Sequence, residues 1–286
     1  MNIMVFDLGG TSVKHGKYDG ESINSKGYFK TPDSLEALLE KMANIIEQHD
    51  KIEGVAISSP GSVNQQERMI EGISAIPYIH FIPIYDLLEE KFGLPVTIEN
   101  DANCAGLCEV EIGAAKEGTN IVSVVLGTGM GGSIFINREL HVGSHLFGGE
   151  FGMTLNTNGG TGSENGTLIA ASKRYAKETG KYIDGVKLLE LYDVGEESAI
   201  KIVNDMYDYI AEVLYNIQVI IDPDYIVLGG GISNRHSLPK EILERLNKLF
   251  EKIGIATAKP KVVNAKYKND ANLVGAVINY KKDQFK

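Results

Sequence analysis

The sequence contains no tryptophan and only two cysteines among its 286 residues. A secreted domain held together by disulfides needs more cysteines at wider spacing. Cys104 and Cys108 instead lie four positions apart in a predicted helix. We therefore expect both to be free thiols, buried or half-buried, in a reducing compartment.

Basic residues are few and long apolar runs are missing. Lysine and arginine total 28 against 38 acidic residues, which gives a formal net charge of −10. This balance disfavours non-specific binding to nucleic acid or to an anionic membrane, because both need a basic face. No apolar run approaches the roughly 20 residues of a membrane-spanning helix. The start, Met1 to Asp7, also lacks the basic segment of a signal peptide. We expect a cytoplasmic protein.

The length and the order of predicted elements indicate two α/β domains. A chain of 286 residues with 43% hydrophobic residues can form two cores, and its strands alternate with helices. We place the first domain at 1–115 and the second at 116–270, with a terminal helix in 271–286 as a candidate to rejoin the first.

Local patterns predict individual elements. Asp33 can cap a helix that has Glu36 at the capping-box position. Another helix is predicted at about 84–92, and the segment 155–166, rich in glycine, asparagine and threonine, is predicted to be a loop.

Two glycine-rich turns, about 120 positions apart, each connect one predicted strand to another. They are Asp7 to Lys14 and Leu126 to Gly132. Neither is a Walker A loop or a dinucleotide fingerprint. A glycine hairpin exposes backbone N–H groups to an anion, so the pair predicts a clamp on a polyphosphate. Asp7 could hold a hydrated Mg²⁺, while Thr11 and Lys14 could contact phosphate oxygens. The alternative is a plain hairpin turn.

A polar cluster follows the predicted strand that ends near Glu99. Asn100 and Asp101 would project at the carboxyl end of that strand, where open α/β sheets build their sites. A carboxylate there can accept the proton of a substrate hydroxyl, as kinases require. The alternative is that these residues only cap the following helix.

Three further segments are candidates for ligand contacts. Glu150, between glycines, could accept hydrogen bonds from vicinal hydroxyls, or be a solvated turn carboxylate. The glycines at 229–231 could let a base or a ribose lie against the backbone, or form a simple turn. The turn at Gly61 could supply backbone contacts to a sugar. His141 and His145 lack the spacing of a zinc site, which we therefore do not expect.

These motifs, in this order from Asp7 to about Gly275, resemble the ROK family of sugar kinases and related repressors. The resemblance implies an actin-like ATPase (ribonuclease H-like) α/β fold, with two domains and a cleft between them. It implies that Asp101 is the general base, and that Gly61, Asn100, Asp101 and Glu150 bind the sugar. The residues it assigns to Mg·ATP are Asp7 (to Mg²⁺ through water), Gly9, Gly10, Thr11, Lys14, Gly127, Thr128, Gly129, Gly230 and Gly231.

The sequence departs from the family pattern after Glu150. Many members have a histidine and a cysteine-rich zinc motif there, whereas this chain has Met153 and the segment 157–164. We therefore expect no zinc and a looser loop at 155–166, with Glu164 as a candidate second sugar carboxylate. Zinc-lacking members include kinases of β-glucosides as well as of monosaccharides.

The predicted function is an ATP-dependent kinase of a hexose or β-glucoside, acting on O6. The alternatives are a kinase for an N-acetylhexosamine such as N-acetylmannosamine, a kinase with another phosphoryl donor or acceptor, or a catalytically silent sugar sensor. The expected partners are the sugar and ATP, not nucleic acid or membrane, and a homodimer is the tendency of the family.

Overall fold

The computed structural model describes residues 1–254, 257 and 259–284. Its chain forms two compact units, which we call unit 1 and unit 2. Unit 1 comprises Met1–Glu111, Gly143–Phe147 and Asn269–Lys286, and unit 2 comprises Ile112–Val142 and Gly148–Lys268.

The elements alternate between strand and helix along much of the chain. The strands are β1 Ile3–Leu8, β2 Ser12–Tyr18, β3 Ile23–Lys30, β4 Gly54–Ser59, β5 Ser62–Asn64, β6 Met69–Glu71, β7 Val96–Asn100, β8 Ile121–Leu126, β9 Met130–Ile136, β10 Glu139–Leu140, β11 Tyr225–Gly229 and β12 Lys261–Asn264. The α-helices are α1 Leu35–Ile46, α2 Ile84–Phe92, α3 Asp101–Glu111, α4 Gly162–Asn165, α5 Leu168–Thr179, α6 Gly185–Asp193, α7 Glu197–Ile221, α8 Leu238–Lys252 and α9 Ala271–Asp283.

Unit 1 is built on a five-stranded sheet with the order β3-β2-β1-β4-β7. Strands β1, β4 and β7 are parallel, and β2 and β3 continue the sheet as antiparallel neighbours. Every residue of β1 is buried because the strand has a core on each face. Met4 and Phe6 pack with α1 and α2, whereas Ile3 and Val5 pack with α3 and α9.

Unit 2 repeats this arrangement with the order β10-β9-β8-β11-β12. Again three strands are parallel, here β8, β11 and β12, and a hairpin continues the sheet. The 25-residue helix α7 packs its apolar face into the core with α5, α6 and α8. The two glycine-rich turns therefore occupy equivalent places, each joining the first parallel strand of its unit to the antiparallel neighbour.

Several local predictions are confirmed. The mixed α/β fold is as predicted, helix α2 spans Ile84–Phe92, and both glycine turns join antiparallel strands. Cys104 and Cys108 are thiols outside any disulfide bond, and both are completely buried. Within the part of the chain that the structure covers, no helix combines the length and the apolar character needed to cross a membrane.

Two local predictions are wrong. Helix α1 is capped by Ser34, not Asp33, since the Ser34 hydroxyl accepts a hydrogen bond of 3.3 Å from the Ala37 N–H. The segment 155–166 is not all loop, because it contains the short helix α4. Thr161 and Glu164 form a complete capping box at the start of that helix.

Candidate functional site

The carboxylate of Asp7 is fixed in place at the carboxyl end of β1. Its side chain is buried, and its Oδ1 accepts hydrogen bonds from Ser58 Oγ at 2.9 Å and Asn272 Nδ2 at 3.0 Å. Asp7 and Lys14 face each other across the β1–β2 hairpin, with Lys14 Nζ 3.6 Å from Oδ2. Residues of strand β4 and helix α9 thus hold the Asp7 carboxylate close to the ammonium group of Lys14.

The turn that follows Asp7 requires its glycines. Gly9 donates its N–H to Ser12 O at 3.1 Å, which closes the turn. A Cβ at Gly10 would lie 2.4 Å from the Cβ of Ala75, so a larger residue would force the two segments apart. Gly10 and Thr11 are exposed at the tip, where their backbone groups are accessible to an anion.

Asn100, rather than Asp101, caps helix α3. Asn100 Oδ1 accepts a hydrogen bond of 3.1 Å from the Asn103 N–H, and Asn100 Nδ2 donates to Gly61 O at 3.0 Å. Asp101 is the first residue of the helix and is half-buried, and its Oδ1 lies 2.8 Å from the Ala102 N–H. The capping alternative thus holds for Asn100, whereas Asp101 lies at the first helical position and accepts from an N-terminal N–H group of the same helix.

Glu99, a buried carboxylate that contacts Asn100 and Asn103, is a residue that sequence reasoning missed. Only 3% of the residue is exposed. Its oxygens accept hydrogen bonds from the Asn100 N–H at 2.8 Å, Asn103 Nδ2 at 2.9 Å and Gln65 Nε2 at 3.2 Å. It joins the end of β7 to the start of α3, which sets the position of Asp101. A glutamate directly after the apolar Ile98 near the end of a predicted strand is the signal that could have revealed it.

Negative charge is concentrated around the end of this sheet. Burial raises the pKa of the Cys104 thiol well above its usual value, and the carboxylates of Glu99, Asp7 and Asp101 add to the rise. Three carboxylates therefore lie near this thiol at the end of the sheet.

His80 supports Gly61 and was also missed. Gly61 has a φ of 95°, and a Cβ there would lie 2.7 Å from His80 Cε1. His80 Nδ1 lies 3.2 Å from Glu71 O, and a carbonyl only accepts, so this nitrogen carries the proton. The other nitrogen, Nε2, then accepts from Ser74 Oγ at 2.7 Å. The imidazole of His80 therefore packs against Gly61, the residue whose carbonyl oxygen accepts the hydrogen bond from Asn100.

The second glycine turn lies in unit 2 and is also exposed. Gly127 donates its N–H to Gly129 O at 2.9 Å, while Thr128 stands between them at the tip. The Met130 N–H donates to Ser163 Oγ at 2.9 Å. Ser163, another residue that sequence reasoning missed, thus ties helix α4 to the start of β9.

Glu150 lies on a segment that packs directly on the backbone of β9. A Cβ at Gly149, where φ is 92°, would lie 2.3 Å from Gly132 O. A Cβ at Gly152 would lie 2.1 Å from Met130 O. The flanking glycines therefore permit the close approach, which leaves the side chain of Glu150 exposed near the second glycine turn.

The glycines after β11 lie at the same end of the unit 2 sheet. Gly230 has a φ of 84°, and a Cβ there would lie 2.1 Å from Leu126 O at the end of β8. Gly231 has no atom near the position of a Cβ, and both residues are exposed. The structure thus brings Gly127–Gly129, Glu150, Gly230 and Gly231 to one region of unit 2.

The segment 155–166, where we expected a looser loop, forms side-chain hydrogen bonds within itself and to α7. Asn156 Nδ2 donates to Glu212 Oε2 at 3.1 Å, and Asn165 Nδ2 donates to Asn156 Oδ1 at 3.2 Å. Glu164 Oε2 accepts from the Thr161 N–H at 2.8 Å, so this candidate sugar carboxylate serves the capping box instead. Among the residues whose placement is described, no three acidic, histidine or cysteine side chains cluster as a metal site would require.

A family model and a curated relative both match nearly the whole length of the chain. The family model described as "ROK family" matches residues 3–283. A β-glucoside kinase of Listeria monocytogenes is 31% identical over 296 residues, covering 99% of each protein.

Two solved structures also share the fold of this chain over its whole length. A ROK family protein of Streptococcus pneumoniae in complex with sucrose has a TM-score of 0.92 and 34% identity, covering 100% of this chain and 99% of that one. A ROK hexokinase of Thermus thermophilus has a TM-score of 0.86 and 26% identity, with both chains fully covered.

Proposed function

The chain belongs to the ROK family, and from that premise we propose that it phosphorylates a β-glucoside or a hexose, with Asp101 as the general base. It is an ATP-dependent sugar kinase with the actin-like ATPase fold. The single observation that carries the assignment of the base is the position of Asp101. It starts α3 at the carboxyl end of β7, directly after Asn100, whose side chain occupies the cap position.

In this proposal Asp101 takes the proton of the attacking sugar hydroxyl. A carboxylate in this role needs a fixed position and one oxygen within hydrogen-bonding distance of the hydroxyl. Glu99 and Asn100 supply the fixed position, through their hydrogen bonds to Asn103. Asn100, Gly61 and Glu150 are the proposed sugar contacts, and O6, the primary hydroxyl of a hexose, is the proposed acceptor.

The glycine turns are proposed to hold the phosphates. Kinases act largely by positioning phosphoryl groups and stabilising their charge. In unit 1 the groups are the backbone at Gly9, Gly10 and Thr11, together with Lys14. In unit 2 they are the exposed residues Gly127, Thr128 and Gly129, with Gly230 and Gly231 for the adenosine.

The residues around Asp7 fit a hydrated magnesium ion. Mg²⁺ prefers one or two carboxylates and keeps several waters. Asp7 offers a carboxylate that Ser58 and Asn272 hold in place, in surroundings where three carboxylates act together on Cys104. We propose Asp7 as the residue that would hold Mg²⁺ through water. Bound there, the ion would neutralise charge on the phosphates. We propose no role for zinc.

One similarity supports a β-glucoside as the acceptor, and a second supports an acceptor site with room for two rings. The Listeria monocytogenes relative is a β-glucoside kinase, and the Streptococcus pneumoniae protein binds sucrose, which is a disaccharide. An acceptor site that admits two sugar rings is consistent with both.

A coupled ADP-release assay tests the proposed function. The purified protein is given Mg·ATP with glucose, N-acetylglucosamine, N-acetylmannosamine or cellobiose, a β-linked glucose disaccharide, and the products are identified by mass. We expect ADP release that depends on the sugar and is fastest with glucose or cellobiose. Preference for an N-acetylhexosamine would overturn the sugar assignment, and no sugar-dependent release across the panel would favour a silent sensor.

A further inference from the structure

One segment of unit 1 contacts both the first glycine turn and the backbone that holds Asn100. We call residues 71–81 the bridging segment. Its Ala75 Cβ lies 2.4 Å from where a Cβ at Gly10 would be, and its His80 Cε1 lies 2.7 Å from the same position at Gly61. The bridging segment therefore borders both the phosphate turn and the proposed sugar contacts.

Two large apolar side chains of this segment are exposed. Ile73 is 96% exposed and Phe81 is 66% exposed. Phe81 follows His80, with ring centroids 6.3 Å apart, and Ile73 precedes Ser74, whose hydroxyl is bonded to His80. Phe81 thus lies beside the imidazole that packs against Gly61, and Ile73 is the neighbour in sequence of the serine that contacts the same imidazole.

The backbone of Phe81 holds an unfavourable conformation. Its φ is 56°, in the left-handed region that a bulky residue rarely adopts. The Phe81 N–H donates to Ile70 O at 2.9 Å, and Ile70 also forms a β-bridge with His80. Buried neighbours therefore impose this conformation and direct the ring outward. Strain of this kind is found most often at ligand sites.

We propose that Phe81, with Ile73, forms the apolar border of the acceptor site and contacts the second ring, or aglycone, of a β-glucoside. A pyranose presents a face of C–H groups, and an aromatic ring packs against such a face while the hydroxyls stay hydrated. The inference rests on the proposed function, and it assigns the preference for β-glucosides over free hexoses to the bridging segment.

Steady-state kinetics of four proteins test this assignment. They are the wild type, Phe81→Ala, Phe81→Gly and Phe81→Trp, each measured with glucose, cellobiose and an aryl β-glucoside. Glycine adopts the left-handed backbone without strain. A loss shared by Phe81→Ala and Phe81→Gly is therefore due to the ring and not to a rearranged backbone. Tyr182→Ala, which removes a 93% exposed aromatic side chain in unit 2, is the matched control.

We expect both small substitutions to lower kcat/KM for cellobiose and for the aryl glucoside by roughly 3- to 10-fold. Glucose kinetics should change less than twofold, and Phe81→Trp should retain the preference. Equal effects on glucose and β-glucosides, no effect on either, or a wild type active on glucose alone would overturn the inference. If the wild type phosphorylates no sugar, the proposed function fails as well.

Discussion

The contact between helices α3 and α9 makes Gly275 the position where one methyl group should do most damage. A Cβ at Gly275 would lie 1.8 Å from the carbonyl oxygen of Cys104, 2.4 Å from its carbonyl carbon and 2.7 Å from its Cα. All three atoms are backbone, so no side chain can rotate away. Restoring an ordinary contact distance would separate the helices by about 1.5 Å at this point.

We expect Gly275→Ala to lower both stability and activity. Overpacking of this kind costs about 1–3 kcal/mol of unfolding free energy. The two helices also carry functional groups, since α3 begins at Asp101 and Asn272 of α9 donates to Asp7 Oδ1 at 3.0 Å. A displacement of the order of 1 Å can cost roughly 100-fold in rate, so kcat should fall by about 10- to 100-fold.

Thermal unfolding and ADP-release kinetics measure the two effects. Asn279→Ala, on the same helix, is the control because it adds no atom to the helix contact. It should leave kcat and the midpoint of thermal unfolding near the wild-type values. A Gly275→Ala protein with wild-type kcat and melting temperature would refute the argument that this close packing positions the site.

Two further predictions concern buried groups near Asp101. Glu99→Gln should lower the unfolding free energy by about 1–3 kcal/mol. If the new oxygen keeps the bonds from the Asn100 N–H and Asn103 Nδ2, the new NH₂ group faces the Nε2 donor of Gln65. Unchanged denaturant unfolding would count against this. For Cys104 the unfolded thiol releases its proton near its usual pKa of 9.0, while burial raises the folded pKa well above that value. The unfolding free energy should therefore decrease above about pH 9. Cys104→Ser should show a smaller decrease than the wild type. Equal decreases in the wild type and in Cys104→Ser would contradict this prediction.

The sequence was sufficient for the features that depend on local pattern. An apolar run before each pair of glycines and an extended stretch after it predict the two hairpins. Apolar residues at helical spacing from Met206 to Ile221 predict the buried helix α7. Strand β3, at Ile23–Lys30, was not predicted. It lies at the sheet edge, where all of its residues are half-buried or exposed, and its sequence is only weakly apolar.

The residues missed at the candidate site act through long-range contacts. His80 touches Gly61, Glu99 bonds to Gln65, and Ser163 bonds to Met130. None of these pairs is close in sequence, so no local motif reveals them. The hydrogen bonds of the segment 155–166 are long-range as well, since Asn156 bonds to Glu212, on a helix that begins some 40 positions later. The roles of Asp101 and of the glycine turns remain predictions.

The most direct test of the central claim is the sugar-dependent turnover of Asp101→Asn, measured together with its sugar affinity. We predict that kcat falls by roughly 100-fold or more, while the Kd for glucose or cellobiose stays within a fewfold of the wild type. Asp33→Asn, an exposed substitution of the same chemistry in unit 1, should behave as the wild type. Turnover by Asp101→Asn at the wild-type rate would contradict the assignment of Asp101 as the general base.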